Sequence, residues 1–208
     1  MSDWQLKGGE ARLWQLVEER ARPGADTARI DQRIWDLFGD EAAIMMTDLA
    51  GFSRKVAAFG ITHFLQVIFE SKRLLLPVIA EHDGVLIKTE ADSLLVLFKR
   101  AESAARCAIA MQHACQRYNR DRKEEDRVEL CVGIGHGRIL RIGDLDVYGR
   151  EVNAASKLGE DTARPNEILL TDAARAAVGD LPGVRWADLA VGVAGSDRNH
   201  RLLYEPAP

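Results

Sequence analysis

The chain of 208 residues is poor in the features that would give it away quickly. It has only three cysteines, Cys107, Cys115 and Cys131, with no CxxC pair and one left over. That excludes a disulfide framework and a cysteine-based zinc site, and leaves them as small buried hydrophobes in a reducing compartment. No stretch approaches the ~18 uninterrupted apolar residues of a membrane span. Charge of one sign is also scarce: 28 Lys and Arg stand against 32 Asp and Glu, a formal net charge of -4. No basic footprint for nucleic acid or an anionic membrane surface is present. The opening MSDWQLKGGE lacks a basic segment followed by an apolar core, so no secretory signal is expected. The expectation is a cytoplasmic protein with no nucleic-acid partner and no membrane insertion.

Several catalytic signatures are missing too. There is no GxxxxGK[ST] phosphate loop, no HExxH and no GxSxG elbow around Ser53, Ser93 or Ser156. His63, His82, His113, His136 and His200 show no tight metal spacing and read as surface or structural residues. GIGHG (Gly133 to Gly137) has near-dinucleotide glycine spacing, but it leads into another strand-like run rather than a helix. No repeat of fixed period is visible.

What remains is an ordinary globular composition, 47% hydrophobic and 29% charged, long enough for one substantial core. Residues 9 to 21 carry Leu13, Leu16 and Val17 at helical spacing, ended by Arg22-Pro23-Gly24. Asp26 or Thr27 caps a second helix with the stripe Ile30, Ile34, Leu37 and Phe38, closed by Gly39. Residues 1–39 thus form a helical appendage that packs on the main domain or joins two chains; the sequence leaves both open. Residues 40–208 form the main domain.

Within that domain, Ala42 to Met46 reads as a buried strand, and Ile61 to His82 as a long helix with Phe64, Leu65, Ile68, Leu75 and Ile79 inward and Pro77 loosening it. Val85 to Thr89 and Ser93 to Phe98 are close enough to make a hairpin, with Glu90, Ala91 and Asp92 at its tip. Ala101 to Asn119 is a second long helix. Val128 to Ile134 is a strand, and a further hairpin through Gly137 to Tyr148 turns near Gly143-Asp144. Arg150 to Asp161 reads as a helix closed near Gly159, Glu167 to Thr171 as a strand capping the short helix after it, with strands near 184–189 and 200–204 in the tail. This order predicts an α/β (α+β) sandwich: a mostly antiparallel sheet on a ferredoxin-like core, with helices packed largely on one face.

Asp48 stands at the end of the first strand, where a carboxylate either starts a turn or holds a cation. TDLAGFS (Thr47 to Ser53), KTEADSLL (Lys88 to Leu95) and DVYGREVNAASKL (Asp146 to Leu158) together resemble the class III nucleotidyl cyclase catalytic domain over roughly residues 40 to 205. The resemblance implies metal positions at Asp48, Leu49 and Asp92, for two Mg²⁺ or Mn²⁺ per site, and a triphosphate held by the backbone of Gly51, Phe52 and Ser53. It also implies that Lys88 donates to N1 of adenine while Asp146 accepts from the 6-amino group, which reads as ATP. Guanine presents the opposite pattern, and guanylyl cyclases usually carry an acid at the lysine position. Asn153 would position the ribose, and Lys157 would stabilise phosphate charge in the transition state. The two are spaced i and i+4 on one helix face.

Three departures from the family pattern stand out. Lys157 replaces the usual arginine, keeping the charge but losing the planar fork. Ala91 replaces the usual glycine, and Glu90 adds a charge beside the metal site. No lysine stands near Val191-Gly192 for the triphosphate, leaving Arg198 or Arg201 as replacements. Because the family's sites are shared between subunits, the resemblance implies a homodimer with composite sites. The expected activity is adenylyl cyclisation of ATP to cyclic AMP and pyrophosphate; the alternative is a non-catalytic cyclase-like module that binds nucleotide or dimerises to regulate a partner.

Overall fold

The structure, a computed structural model, describes residues 9–207. The helices α1 (Gly9–Arg20) and α2 (Thr27–Phe38) precede β1 (Gly39–Leu49), α3 (Phe52–Phe59) and α4 (Ile61–Glu81). The hairpin β2 (Val85–Glu90) and β3 (Ser93–Phe98), α5 (Ala101–Asn119), β4 (Leu130–Ile142) and β5 (Asp146–Tyr148) follow. The chain continues through α6 (Arg150–Ser156), β6 (Ile168–Thr171), α7 (Asp172–Val178), β7 (Val184–Leu189) and β8 (Asn199–Tyr204).

All eight strands join one open sheet in the order β2-β3-β1-β4-β6-β8-β7, with β5 alongside β4. Among the described residues only the β4–β6 pair is parallel. The first four strands and their helices form the ferredoxin-like unit, with spatial order β2-β3-β1-β4. The expected α+β class and mostly antiparallel sheet are therefore what the chain adopts.

Strand alternation divides β1 between two layers. Ala43, Met45 and Leu49 face the larger core, with Phe64, Leu75 and Ile79 of α4, Met111 of α5 and Ala174 of α7. Ala42 and Ile44 face the other side, against Ile139, Val147 and Ala155. Thus α4, α5 and α7 cover one face, while α6 lies on the opposite one. Asp48 shares the α6 side with Ile44 by the same alternation, so the sheet hands its terminal carboxylate to the less covered face. The three thiols are buried and free, and burial pushes each up to about 12, the behaviour of packing residues.

The glycines of GIGHG have a packing cause. A Cβ on Gly133 would run into Ala155 O and Gly159 N, and one on Gly135 into Glu151 O. Side chains at either position would lift α6 off β4.

Several boundaries differ from the sequence reading. The predicted strand at 128–134 and the first arm of the next hairpin are one continuous strand, β4, of 13 residues. Its turn near Gly143 leads back into β5 as expected. The helix read over 150–161 ends its α-helical part at Ser156, and Lys157–Thr162 is a π-helical stretch. Gly159 does not close that helix: it is buried, and a Cβ there would meet Met46 O and Gly133 N. Gly39 closes α2 as expected, its N–H donating to Trp35 O, and in extended conformation it also opens β1. Leu65 is 56% exposed, against the expectation that it points inward, and Val17 and Leu37 also lie at the surface. The period of α4 explains Leu65, because Phe64 and Ile68 already fill the core stripe and Leu65 falls about 100° away. Pro77 is accommodated within α4, which runs on to Glu81.

Of the two uses left open for the N-terminal helices, one is realised within the chain. Leu13, Leu16, Ile30, Ile34 and Phe38 form a third cluster with Ile142 of β4. Asp26 caps α2 by accepting from Arg29 N–H. Among the described residues, no helix is long and apolar enough to cross a membrane.

Candidate active site

A cavity of ≈ 180 Å³ opens on the α6 side of the sheet. Met46 and Leu95 line it with apolar surface; Lys88, Glu90, Asp146 and Asn153 contribute polar groups. Lys88 arrives there through a break in β2. Leu86 pairs with Val96 and Lys88 with Leu95, so Ile87 is inserted without a partner of its own. In an unbroken strand Ile87 and Lys88 would face opposite sides. The bulge lets Ile87 pack with Ile44 and Leu97 while Lys88 reaches the cavity on that same side.

Lys88 Nζ donates to Asp146 Oδ2 at 2.9 Å and lies 3.0 Å from Glu90 Oε1. Asp146, then Glu90, raises the lysine above its usual range. Asp146 is itself fixed, since its Oδ1 accepts from Val147 N–H at 2.9 Å. Asn153, on the exposed face of α6, completes that wall. The structure therefore brings Lys88 together with Asp146 and Asn153, which follow it by more than fifty positions.

Asp48 and Asp92 form a second group beside the first. Ser93 joins the two, lining the cavity and donating its hydroxyl to Asp48 Oδ1 at 3.4 Å. Burial, then repulsion from Asp92 and Glu160, pushes the Asp48 carboxyl up to about 6. Burial is also the main cause that raises Asp92. The backbone N–H of Leu49 acts against the shift at both carboxylates, which places this residue's main chain between them while its side chain is buried in the core. Asp92 Oδ2 is buried with no hydrogen-bond partner. Two half-buried carboxylates, one with a buried, orphaned oxygen, fit a hard divalent cation. Among the described residues no group of three or more His, Cys, Asp or Glu side chains forms a ready metal centre.

The turn after Asp48 is clamped from the far side. Ala50 N–H donates to Glu129 O at 2.8 Å, and Gly51, with φ 79°, admits the chain to α3. Phe52 begins α3 and stacks edge-on against Phe64 with ring centroids 4.7 Å apart. The Ser53 side chain lies outside the described residues.

Lys157 is not part of the cavity wall. It is exposed and donates to Asp161 Oδ2 at 2.6 Å, a contact that raises it above the usual lysine range. Both arginines read as stand-ins for a distal lysine are engaged elsewhere: Arg198 with Asp172 at 2.9 Å and Arg201 with Glu167 at 3.0 Å. Glu90, read as crowding the metal site, places its carboxylate on Lys88 instead. The strand spacing 88–90 carried the signal for that, because residues two apart in a strand share a face.

The fold defines the class: an α+β sandwich on a ferredoxin-like core, with its candidate site on the sheet face that α6 only partly covers. Residues 38–182 match the adenylate and guanylate cyclase catalytic domain, and the chain belongs to that family. Over 131 residues it is 33% identical to a protein named "Putative adenylate cyclase 3" from Rhizobium meliloti. It is 29% identical over 130 residues to the serine/threonine-protein kinase pkn2 of Myxococcus xanthus. These matches take in 63% and 62% of this chain but only 22% and 15% of the relatives' own lengths. Among solved structures, an adenylate/guanylate cyclase/hydrolase from Silicibacter pomeroyi superposes with a TM-score of 0.72 at 27% identity, covering 80% of this chain and 98% of that one. The adenylyl cyclase CyaB from P. aeruginosa, at 20% identity and a TM-score of 0.66, shares the fold over 80% of this chain and 95% of its own.

Proposed function

We propose that the chain is an adenylyl cyclase, converting ATP to 3′,5′-cyclic AMP and pyrophosphate at sites shared between two copies. The observation that carries this reading is the Lys88–Asp146 pair, 2.9 Å apart on the wall of a cavity that Asn153 also lines. A fixed ammonium donor beside a fixed carboxylate acceptor matches adenine, whose N1 accepts and whose 6-amino group donates. The cavity, at ≈ 180 Å³, is below the ~300–1,000 Å³ of complete small-molecule sites. One base fits such a space better than a whole nucleotide, which supports a half-site completed by a second copy.

In the reaction the 3′-hydroxyl oxygen bonds to the α-phosphorus, the bond to pyrophosphate breaks, and the hydroxyl proton passes to solvent water. Lys88 and Asp146 hold the base, and Asn153 the ribose, so that hydroxyl and phosphate meet in line. The backbone of Gly51, Phe52 and Ser53 faces the triphosphate. Lys157 meets the charge that develops on the phosphate oxygens, after leaving Asp161. Asp48 and Asp92, with the Leu49 main chain, would hold two Mg²⁺ or Mn²⁺ ions, which supply charge neutralisation at the attacking and leaving oxygens. Residues 40–208 would be the catalytic unit and 1–39 its helical appendage, in the cytoplasm, where buried thiols stay reduced.

The Lys157–Asp161 contact favours a second reading, a cyclase-like module that binds nucleotide without turning it over. Purified protein incubated with ATP or GTP and Mn²⁺ or Mg²⁺ separates the readings. Cyclic AMP that is lost in Asp48→Ala and Asp92→Ala supports catalysis. Metal-dependent ATP binding without product supports the module, and cyclic GTP as the main product would overturn the base assignment.

A further inference from the structure

The base-facing lysine has a second carboxylate partner. Lys88 and Glu90 lie on one face of β2, just before the tight turn at Ala91-Asp92, and both line the cavity. Asp146 Oδ2 accepts a hydrogen bond from the ammonium at 2.9 Å, and Glu90 Oε1 makes an ion pair with it at 3.0 Å. An ammonium has three N–H donors and no acceptor. With Asp146 alone, it could turn about its own axis or swing towards solvent. A second carboxylate at ion-pair distance limits that swing and narrows the directions in which the remaining N–H groups point. We propose that Glu90 is a positioning residue for base recognition: it holds Lys88 so that one N–H is presented to a ring-nitrogen acceptor, sharpening the choice of adenine over guanine nucleotides.

This rests on the adenine reading of Lys88 and Asp146, and it adds a residue and a direction to it. Guanine carries a hydrogen on N1, so a fixed N–H pointing there meets a donor. A mobile ammonium could move aside and tolerate it. Glu90 thus acts through Lys88, and its removal should alter discrimination between bases more than affinity for triphosphate in general. The side chains of Lys88 and Glu90 are 34% and 70% exposed, so the expected effect is that of a partly solvated ion pair.

The experiment measures equilibrium binding of 3′-deoxy-ATP and 3′-deoxy-GTP, which lack the attacking hydroxyl, to the full chain with Mn²⁺. The proteins are the wild type, Glu90→Gln, Glu90→Ala and Lys88→Met, each with its melting temperature recorded. The wild type is expected to bind the adenine nucleotide more tightly. Both Glu90 variants should lose roughly two- to fivefold of that preference, the range of an exposed ion pair, with adenine affinity lowered and guanine affinity unchanged or raised as the ammonium gains freedom. Lys88→Met should abolish the preference. If Lys88→Met abolishes it and the Glu90 variants keep it, Glu90 has no positioning role and the adenine reading survives. If Lys88→Met keeps it, or neither nucleotide binds, the adenine reading fails and the role of Glu90 falls with it. Equal losses for both nucleotides in the Glu90 variants would show a general structural effect and overturn the proposal.

Discussion

Lys88 and Asp146 are 58 positions apart in the chain and meet at 2.9 Å. One comes from a bulged edge strand and the other from the three-residue β5, folded back along β4. Swapping the charges tests whether this pair reads the base. The double exchange Lys88→Glu with Asp146→Lys keeps an ion pair but reverses donor and acceptor. The expected outcome is a kcat/KM for ATP lowered at least tenfold with less change for GTP, measured as cyclic product.

Asp48 gives a pH dependence with a definite sign. Its carboxyl is pushed up to about 6 in the folded chain, from an ordinary value of 3.8. The folded state therefore binds the proton more tightly, and this group's contribution to stability falls as pH rises from about 4 to 6. Asp48→Asn removes that loss. Without metal, the variant should melt above the wild type at pH 7 by roughly 2–4 °C, equivalent to ~1 kcal/mol after solvent screening, and the gap should close near pH 4. Millimolar Mn²⁺ should raise the melting temperature of the wild type and leave Asp48→Asn unmoved.

Ala91 stands in the left-handed region at φ 49°, where L side chains are strained. The turn explains why a glycine suits this position. Ala91→Gly should stabilise the fold by ~1 kcal/mol, read by denaturant titration as a shifted midpoint with an unchanged slope.

Gly133 tests the packing of α6 on β4. Gly133→Ala pushes a methyl group into the backbone of Ala155 and Gly159. A loss of about 3 kcal/mol is expected, the upper range for overpacking, because backbone atoms cannot rotate away. The cavity wall at Asn153 should shift as well, lowering activity in whatever fraction remains folded.

Lys157→Arg puts a planar fork at the position where the proposed function has a cation meet the phosphate charge. One additional charge-assisted bond of ~1 kcal/mol corresponds to about fivefold in kcat. An unchanged or lower kcat, measured under saturating ATP, would mean that the site is built around lysine and its Asp161 partner.

Much of this fold could be read from periodicity, and the misses have local causes. The buried faces of α2, α4 and α5 follow the 3.6 period, and the hairpin at Ala91-Asp92 follows from two apolar runs a short step apart. The glycine spacing of GIGHG reads in sequence as a failed dinucleotide pattern, and only the contacts of Gly133 and Gly135 with α6 explain it. Gly159 misled in the same way: a buried glycine that permits close approach looks the same in sequence as one that ends a helix. Of the candidate site, Lys88, Asp146 and Asn153 come together as the motif order suggested. The bulge at Ile87 that aims Lys88 left no mark in composition, since β2 still reads as a short apolar strand. The i, i+4 rule pairs Lys157 with Asp161 as readily as with Asn153, and only the structure shows which contact forms.

The central claim is a catalytic site made from two copies of this chain, and mixing two crippled variants tests it most directly. Asp48→Ala removes the metal-facing half of a site, and Asn153→Ala the ribose-facing half. Each variant alone should form almost no cyclic AMP from ATP and Mn²⁺. Random exchange of chains makes half the dimers mixed, and each mixed dimer carries one site free of both substitutions. The account predicts that an equimolar mixture regains about a quarter of wild-type activity. A mixture that stays as inactive as its components, while a wild-type dimer turns ATP over, would contradict it.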